Sequence, residues 1–276
     1  RRVVKFARSY HGWHDSVYSG LLEEDSGRQA RPASRGQSVT SLDDLLVARF
    51  NDVAMVEALV AQAERGTRLV VVLDDAYFGL FYHLGGESMT ESLFGLLANQ
   101  HPNLLAVKLD GATKELFVWG LRCGFITFGP GRADTAETVC QALDAKTRGA
   151  IRGGISNVSQ LSQSLIERAL ASDSIASERK QKCEILRRRA ERVYAVANEP
   201  RFRESFEVYP FNSGYFMCVK VRGVEAEALR VCLLDDYGVG LIATGPHDIR
   251  VAFSCLEEDE VEPLFEALHE AIQKSQ

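Results

Sequence analysis

Apolar positions along this chain recur in two alternating rhythms. In "NDVAMVEALVAQAERG", Val53, Val56, Leu59, Val60 and Ala63 fall on one helical face, with Asn51 or Asp52 as N-cap and Gly66 as stop. "RLVVVLDD" then runs apolar without alternation and ends in acids, the pattern of a strand buried on both faces. "NLLAVKLDG" and "CGFITFG" are two more short strands. Strand, helix and strand in this order predict an α/β fold with a mostly parallel sheet and helices on both faces.

From Leu161 to Asn198 the text is helical and free of glycine, as expected of a connector between domains. Its basic run "ERKQKCEILRRRAER" predicts a solvated helix face with Ile185, Leu186 and Val193 turned inward. Beyond Pro200, "GYFMCVKV", "VGLIAT" and "DIRVAFSCL" read as strands. "VEAEALRVCLLDDYG" is a helix stopped by Gly238, and "EEDEVEPLFEALHEAIQK" a helix with acids in its first turn. The expected division is a large domain over 1–160, connecting helices over 161–198 and a small α/β domain over 199–276.

Composition narrows the function classes. Hydrophobic residues make up 46% and charged residues 25%, ordinary values for a soluble globular protein. No run approaches the roughly 18 apolar residues of a membrane span. Arg1 and Arg2 lead into a strand-like "VVKFARS" rather than the apolar core of a signal peptide. A net charge of −6 without a basic domain argues against nucleic acid as a partner. Cys123, Cys140, Cys183, Cys218, Cys232 and Cys255 are scattered, with no CxxC pair and no zinc spacing. That usage predicts a reducing, cytoplasmic location and no structural metal.

The candidate chemistry begins in "DGATKELFVWGLRCG", where Lys114 and Arg122 stand in an otherwise apolar stretch. Burying either charge is tolerable only with a partner. Ligands of open α/β sheets bind beyond the carboxyl ends of the strands. Asp74 ends one such strand, Tyr77 follows it, and Lys114 and Arg122 follow the next. Singly, Asp74 reads as a cap or turn residue, Tyr77 as core, Lys114 as a surface lysine and Arg122 as an ion-pair partner. Together they match the needs of pyridoxal 5'-phosphate. Lysine forms a Schiff base with its aldehyde, a carboxylate keeps its ring nitrogen protonated, a phenol bonds its ring oxygen and a guanidinium holds its phosphate. Lys108, in "AVKLDG", has no arginine eight residues on and is expected to face outward or to lie near a rim.

"DDAYFGLFY" followed by "GATKELFVWGLRCGF" resembles the class I/II aminotransferases of the fold-type I pyridoxal-phosphate family. Their pattern is D-x-A-Y, then S-x-S/A-K, then an arginine eight residues past the lysine, and the likeness runs from Leu69 to the C-terminus. It implies the aspartate aminotransferase-like fold and transfer of an amino group between an amino acid and a 2-oxo acid by a homodimer. Lys114 would form the internal aldimine and move the substrate's α-proton, Asp74 would bond the pyridine nitrogen, Tyr77 the ring hydroxyl and Arg122 the phosphate. "DIRVAFS" resembles the segment whose arginine, here Arg250, holds the substrate α-carboxylate. "IRGGISN" is similar to the segment carrying an arginine, here Arg152, across the dimer interface to a substrate's side-chain carboxylate.

The departures are specific. Gly111 stands where the family has a serine that bonds the phosphate, and neither the "NPTG" motif nor the Gly-rich phosphate loop is found. The first sixty residues are more similar to class III enzymes related to glutamate-1-semialdehyde aminomutase, through "SYHGWHD" and "ARFNDVAMVEAL". That likeness implies that Tyr10 stacks on the cofactor ring, while His11, Trp13 and His14 read as packing residues. The chain thus reads as a fold-type I enzyme lacking its N-terminal part, or as one with a substitute for the phosphate loop. The motifs leave two alternatives: a lyase or decarboxylase reaction on the same cofactor, and a cofactor-binding fragment without catalysis.

Overall fold

A computed structural model describes residues 3–6, 18–19, 32, 36–48, 53–87 and 89–276. Tyr10, His11, Trp13, His14 and the N-cap candidates Asn51 and Asp52 lie outside the described residues. The chain divides into two compact units, Arg1–Leu69 and Val70–Gln276.

In the first unit, β1 (Val3–Phe6) pairs in parallel with β2 (Leu45–Ala48), Val3 opposite Leu45. Leu42, Leu45 and Val47 form a small buried core. Lys5 is buried too, and its ammonium donates to the carbonyl of Ser19. The predicted helix is α1 (Val53–Glu64), which stops before Gly66 and buries Ala63.

The sheet associated with the second unit has the order β3 (Leu69–Asp74), β4 (Leu104–Gly111), β5 (Gly124–Pro130). β4 and β5 run antiparallel, with Leu105 opposite Pro130 and Gly111 opposite Gly124. The strand-and-helix rhythm does not reveal this reversal. The link between them holds only the one-turn α3 (Ala112–Glu115) and a 3-10 turn, Trp119–Leu121, where a parallel neighbour needs a helix crossing the sheet.

β3 also differs from the expectation of burial on both faces. Val70 and Val72 are 61% and 56% exposed, alternating with partly covered Leu69, Val71 and Leu73. The run is apolar on both sides, but the described elements around it cover only one of them.

The helical stretch is two helices, α5 (Gln160–Leu170) and α6 (Ile175–Ala197). Ahead of them stand α2 (Leu93–Leu97) and α4 (Ala136–Gly154). The break falls at Ser172–Ser174, where Ser174 N donates to Ser172 Oγ at 3.3 Å and the two hydroxyls lie 2.9 Å apart. Such local bonds compete with the helical ladder.

Beyond α6 the chain builds a four-stranded sheet ordered β6 (Phe206–Val208), β7 (Met217–Val221), β9 (Asp248–Val251), β8 (Ile242–Ala243), all pairs antiparallel. α7 (Ala226–Tyr237) ends at Gly238, whose φ of +66° is the left-handed stop that favours glycine. α8 (Val261–Ser275) closes the chain. The main core forms here. Alternate β7 residues Met217, Val219 and Val221 meet the helical stripe Leu264, Phe265, Leu268 and Ile272 of α8 in one buried cluster. α6 joins it through Leu186, Ala190 and Val193, while Ile185, expected inward, is only half-buried.

The basic face of α6 is paired with acids. Arg188 reaches Glu258 at 3.0 Å, Arg189 reaches Glu257 at 2.6 Å, and Arg192 reaches Glu262 at 2.9 Å. No helix among the described residues is long and apolar enough to cross a membrane.

Candidate active site

β3 ends at the exposed Asp74, whose Oδ1 accepts from Ala76 N at 3.4 Å. A tight turn follows, in which Phe78 N donates to Asp75 O at 2.8 Å and Leu80 N to Tyr77 O at 3.2 Å. The chain after it is bonded to the segment ahead of β7. Tyr82 N donates to Asn212 O at 2.8 Å, Gly214 N to Leu80 O at 3.1 Å, and the Tyr82 hydroxyl to Gly214 O. Burial pushes the Tyr82 phenol well above its ordinary range, so it serves as a neutral donor.

These bonds set Tyr77 edge-on to Tyr215, with ring centres 5.5 Å apart, and to Phe216 at 6.4 Å. Tyr77, Ser213, Gly214, Tyr215 and Phe216 line a cleft of about 210 Å³.

Lys114 enters this neighbourhood from α3, immediately after β4. Its Nζ lies 5.0 Å from the centre of the Tyr77 ring and 5.4 Å from that of Tyr215. Aromatic faces attract an ammonium without neutralising it. The Tyr215 hydroxyl donates to the Lys114 carbonyl at 2.8 Å. Its pKa is pushed up to about 12, first by burial and next by Tyr77. Among the described residues Lys114 has no ion-pair partner.

Lys108 is different, and does not face outward. Its side chain is 17% exposed, pairs with Asp110, lies 3.9 Å from Asp75 and sits 4.9 Å over the Phe78 ring. The two carboxylates meet the cost of turning it inward.

Arg122 caps the 3-10 turn after α3 at φ +49°, a conformation uncommon outside glycine. Its side chain is exposed and makes no hydrogen bond or ion pair with a described residue. The two cations of the apolar stretch are thus accommodated separately, Lys114 on aromatic faces and Arg122 in solvent.

Arg250 lies on β9 opposite Cys218, with its guanidinium 4.6 Å from the centre of Phe216. Phe216 therefore touches both Tyr77 and Arg250. Arg152 stands in the last turn of α4, exposed, with Nη1 donating to Ser156 Oγ at 2.6 Å. Ser156 itself has φ +68°.

At Gly111 a Cβ would meet only Ala76, at 3.7 Å. A serine would fit there, so glycine removes a hydroxyl without a steric need. Glu115, beside Lys114, has a buried Oε1 with no hydrogen-bond partner among the described residues, and its carboxyl pKa is raised first by burial and then by Asp110.

The structure brings together Lys114, Tyr77 and, through Phe216, Arg250. Sequence reasoning missed Tyr215 and Phe216. Two consecutive aromatics after Gly214 were the available signal, but an aromatic pair at a strand start is ordinary core composition.

The fold is that of the pyridoxal-phosphate-dependent transferases of fold type I, as the solved structures show. The α-aminoadipate aminotransferase LysN of Thermus thermophilus, complexed with N-(5'-phosphopyridoxyl)-L-leucine, matches at 18% identity and TM-score 0.63, over 86% of this chain and 67% of that one. The kynurenine aminotransferase of Pyrococcus horikoshii matches at 14% identity and TM-score 0.64, over 86% and 66%. A tetra mutant of Thermus thermophilus aspartate aminotransferase matches at 17% identity and TM-score 0.59, over 81% and 56%. The profile of "Aminotransferase class I and II" matches residues 52–268, and the chain belongs to that family. It spans 56% to 67% of the length of these three solved chains. Among curated proteins none matches it significantly.

Proposed function

We propose that this chain is a pyridoxal-phosphate-dependent aminotransferase with Lys114 as the point of covalent attachment, working as a cytoplasmic homodimer in amino-acid metabolism. The observation that carries the reading is the Lys114 amine, without an ion-pair partner among the described residues, beside the rings of both Tyr77 and Tyr215. The donor set fits the cofactor. An amine lies beside the rings of Tyr77 and Tyr215, which line a cleft, a strand-end carboxylate is exposed, and a guanidinium stands without a partner among the described residues. When bound, pyridoxal phosphate supplies the electron sink for a substrate's α-carbon.

In this reading the residues divide the work. Asp74 holds the proton on the ring nitrogen, Tyr77 donates to the ring oxygen, Arg122 binds the phosphate and Tyr10 stacks on the ring. Lys114 would act as general base and then as general acid toward the proton on the substrate's α-carbon. Arg250 holds the α-carboxylate and Arg152 the second carboxylate of a dicarboxylic substrate. The proposed organisation is a cofactor domain over 1–160, connecting helices over 161–198 and a small domain over 199–276.

The test mixes the full chain with pyridoxal phosphate, reduces with borohydride and maps the modified peptide. The label is expected on Lys114, and a label on Lys108 would overturn the assignment. Turnover with an amino donor should then yield a 2-oxo acid. Ammonia or carbon dioxide in its place would make the chain a lyase or decarboxylase.

A further inference from the structure

The carbonyls at the end of a helical turn have no partner within it and must find one elsewhere. In α3, which carries Lys114, the partners come from two directions. The Lys114 carbonyl accepts locally from Phe117 N at 3.2 Å and in addition from the Tyr215 hydroxyl, while the Glu115 carbonyl takes Nε of Arg179 at 3.2 Å. Arg179 stands near the start of α6, sixty-four residues further along the chain.

The same guanidinium lies against Gly79, in the turn that carries Tyr77. A Cβ on Gly79, where φ is +84°, would come within 2.5 Å of Arg179 Nη2. Arg179 thus touches both turns that present the paired groups Tyr77 and Lys114. It does so from a helix whose Leu186, Ala190 and Val193 are anchored in the main core. A cation also suits the negative end of a helical turn, and a planar, rigid fork holds two surfaces in register better than a flexible ammonium.

We propose that Arg179 is a positioning residue for the Lys114 amine. Wedged between Gly79 and the Glu115 carbonyl, it fixes the Tyr77 turn against the Lys114 turn and so sets how the amine is presented to an incoming aldehyde. The inference rests on Lys114 being the nucleophile.

The test is the rate at which pyridoxal phosphate is captured at Lys114 in the cofactor-free full chain, by timed borohydride trapping and peptide mass analysis. Melting temperature and background labelling of the exposed Lys220 are followed in parallel. Arg179→Gln should slow capture at Lys114 roughly tenfold, since misplacing a reacting group by about an ångström costs up to 10² in rate. Lys220 labelling should not change. Arg179→Lys, which keeps the charge and one donor, should recover part of the rate.

Equal capture rates in all three proteins would overturn the proposal and leave Arg179 a packing residue. A wild-type label away from Lys114 would instead refute the nucleophile on which it rests. If Arg179→Gln fails to fold, Arg179→Met decides in its place, because it keeps the apolar stem while removing the donor to the Glu115 carbonyl. It should slow capture at Lys114 as well, and capture at the wild-type rate would count against the wedge.

Discussion

The Nζ of Lys114 lies 5.0 Å over the ring of Tyr77, thirty-seven residues earlier in the chain. Neither residue reaches the other by local structure. Tyr77 is presented by the turn after β3 and Lys114 by the turn after β4, and these strands are neighbours in one sheet. Adjacent strand ends are where an α/β sheet collects its chemistry.

Tyr215 holds the same turn from the other side. Tyr215→Phe keeps the ring over Lys114 but removes the donor to the Lys114 carbonyl. The loss should cost about 0.5–1.5 kcal/mol of stability, the net worth of a neutral hydrogen bond, measured by urea unfolding. A change within experimental error would mean that water replaces the hydroxyl fully.

Glu115 yields a prediction in pH. Its carboxyl pKa is raised above 4.5, first by burial and then by Asp110. The folded chain therefore binds this proton more tightly than the unfolded chain does. The resulting stability is fully present below the ordinary glutamate value and is lost as pH rises through the folded value. Glu115→Gln keeps the shape and cannot ionise, so at pH 7 it should melt higher than wild type, with the gap closing in acid. Parallel melting curves from pH 4 to 7 would show that the carboxyl is not strained by its ionisation.

The core offers a simpler case. Phe265 is fully buried and packs against Phe202 at 6.3 Å and Phe206 at 5.8 Å between ring centres. Phe265→Ala should cost about 3–5 kcal/mol, read from denaturant midpoints. A loss below about 1 kcal/mol would mean that α8 repacks to fill the space.

Much of this was legible in the sequence because it is local. α7 and α8 follow from apolar periodicity and a glycine stop, and the nearness of Tyr77 to Lys114 follows from their places just past two strand ends. What was not legible depends on distant partners. Nothing near Lys108 in the chain says that it turns inward, because Asp75, one of its two counter-charges, comes from the neighbouring strand end. The two faces of "LVVVLD" are equally apolar in sequence, yet only the neighbours decide which is covered. Tyr215 and Phe216 read as strand residues, and their place beside Tyr77 comes from the bonds between 80–82 and 212–214.

Substrate choice is the last prediction. Arg250 is set against Phe216, which also contacts Tyr77, and the Tyr77 ring lies 5.0 Å from the Lys114 amine; under the proposed function a carboxylate held by Arg250 belongs to the substrate of that amine. Arg250→Ala should raise KM for every amino donor alike, by roughly tenfold to a hundredfold, the range for hydrogen bonds to a charged group. Arg152 is exposed on α4 and engaged only with Ser156 among the described residues. If it serves a second carboxylate, Arg152→Ala should weaken glutamate and aspartate as donors and leave alanine unchanged. The reason is that a site built around a charge rejects the analogue that leaves the charge unpaired. Steady-state kinetics with the three donors separate the two arginines. An equal loss for all three in Arg152→Ala would make Arg152 the C-terminal fastening of α4, through Ser156, and would leave the substrate's side chain to the aromatic cleft alone.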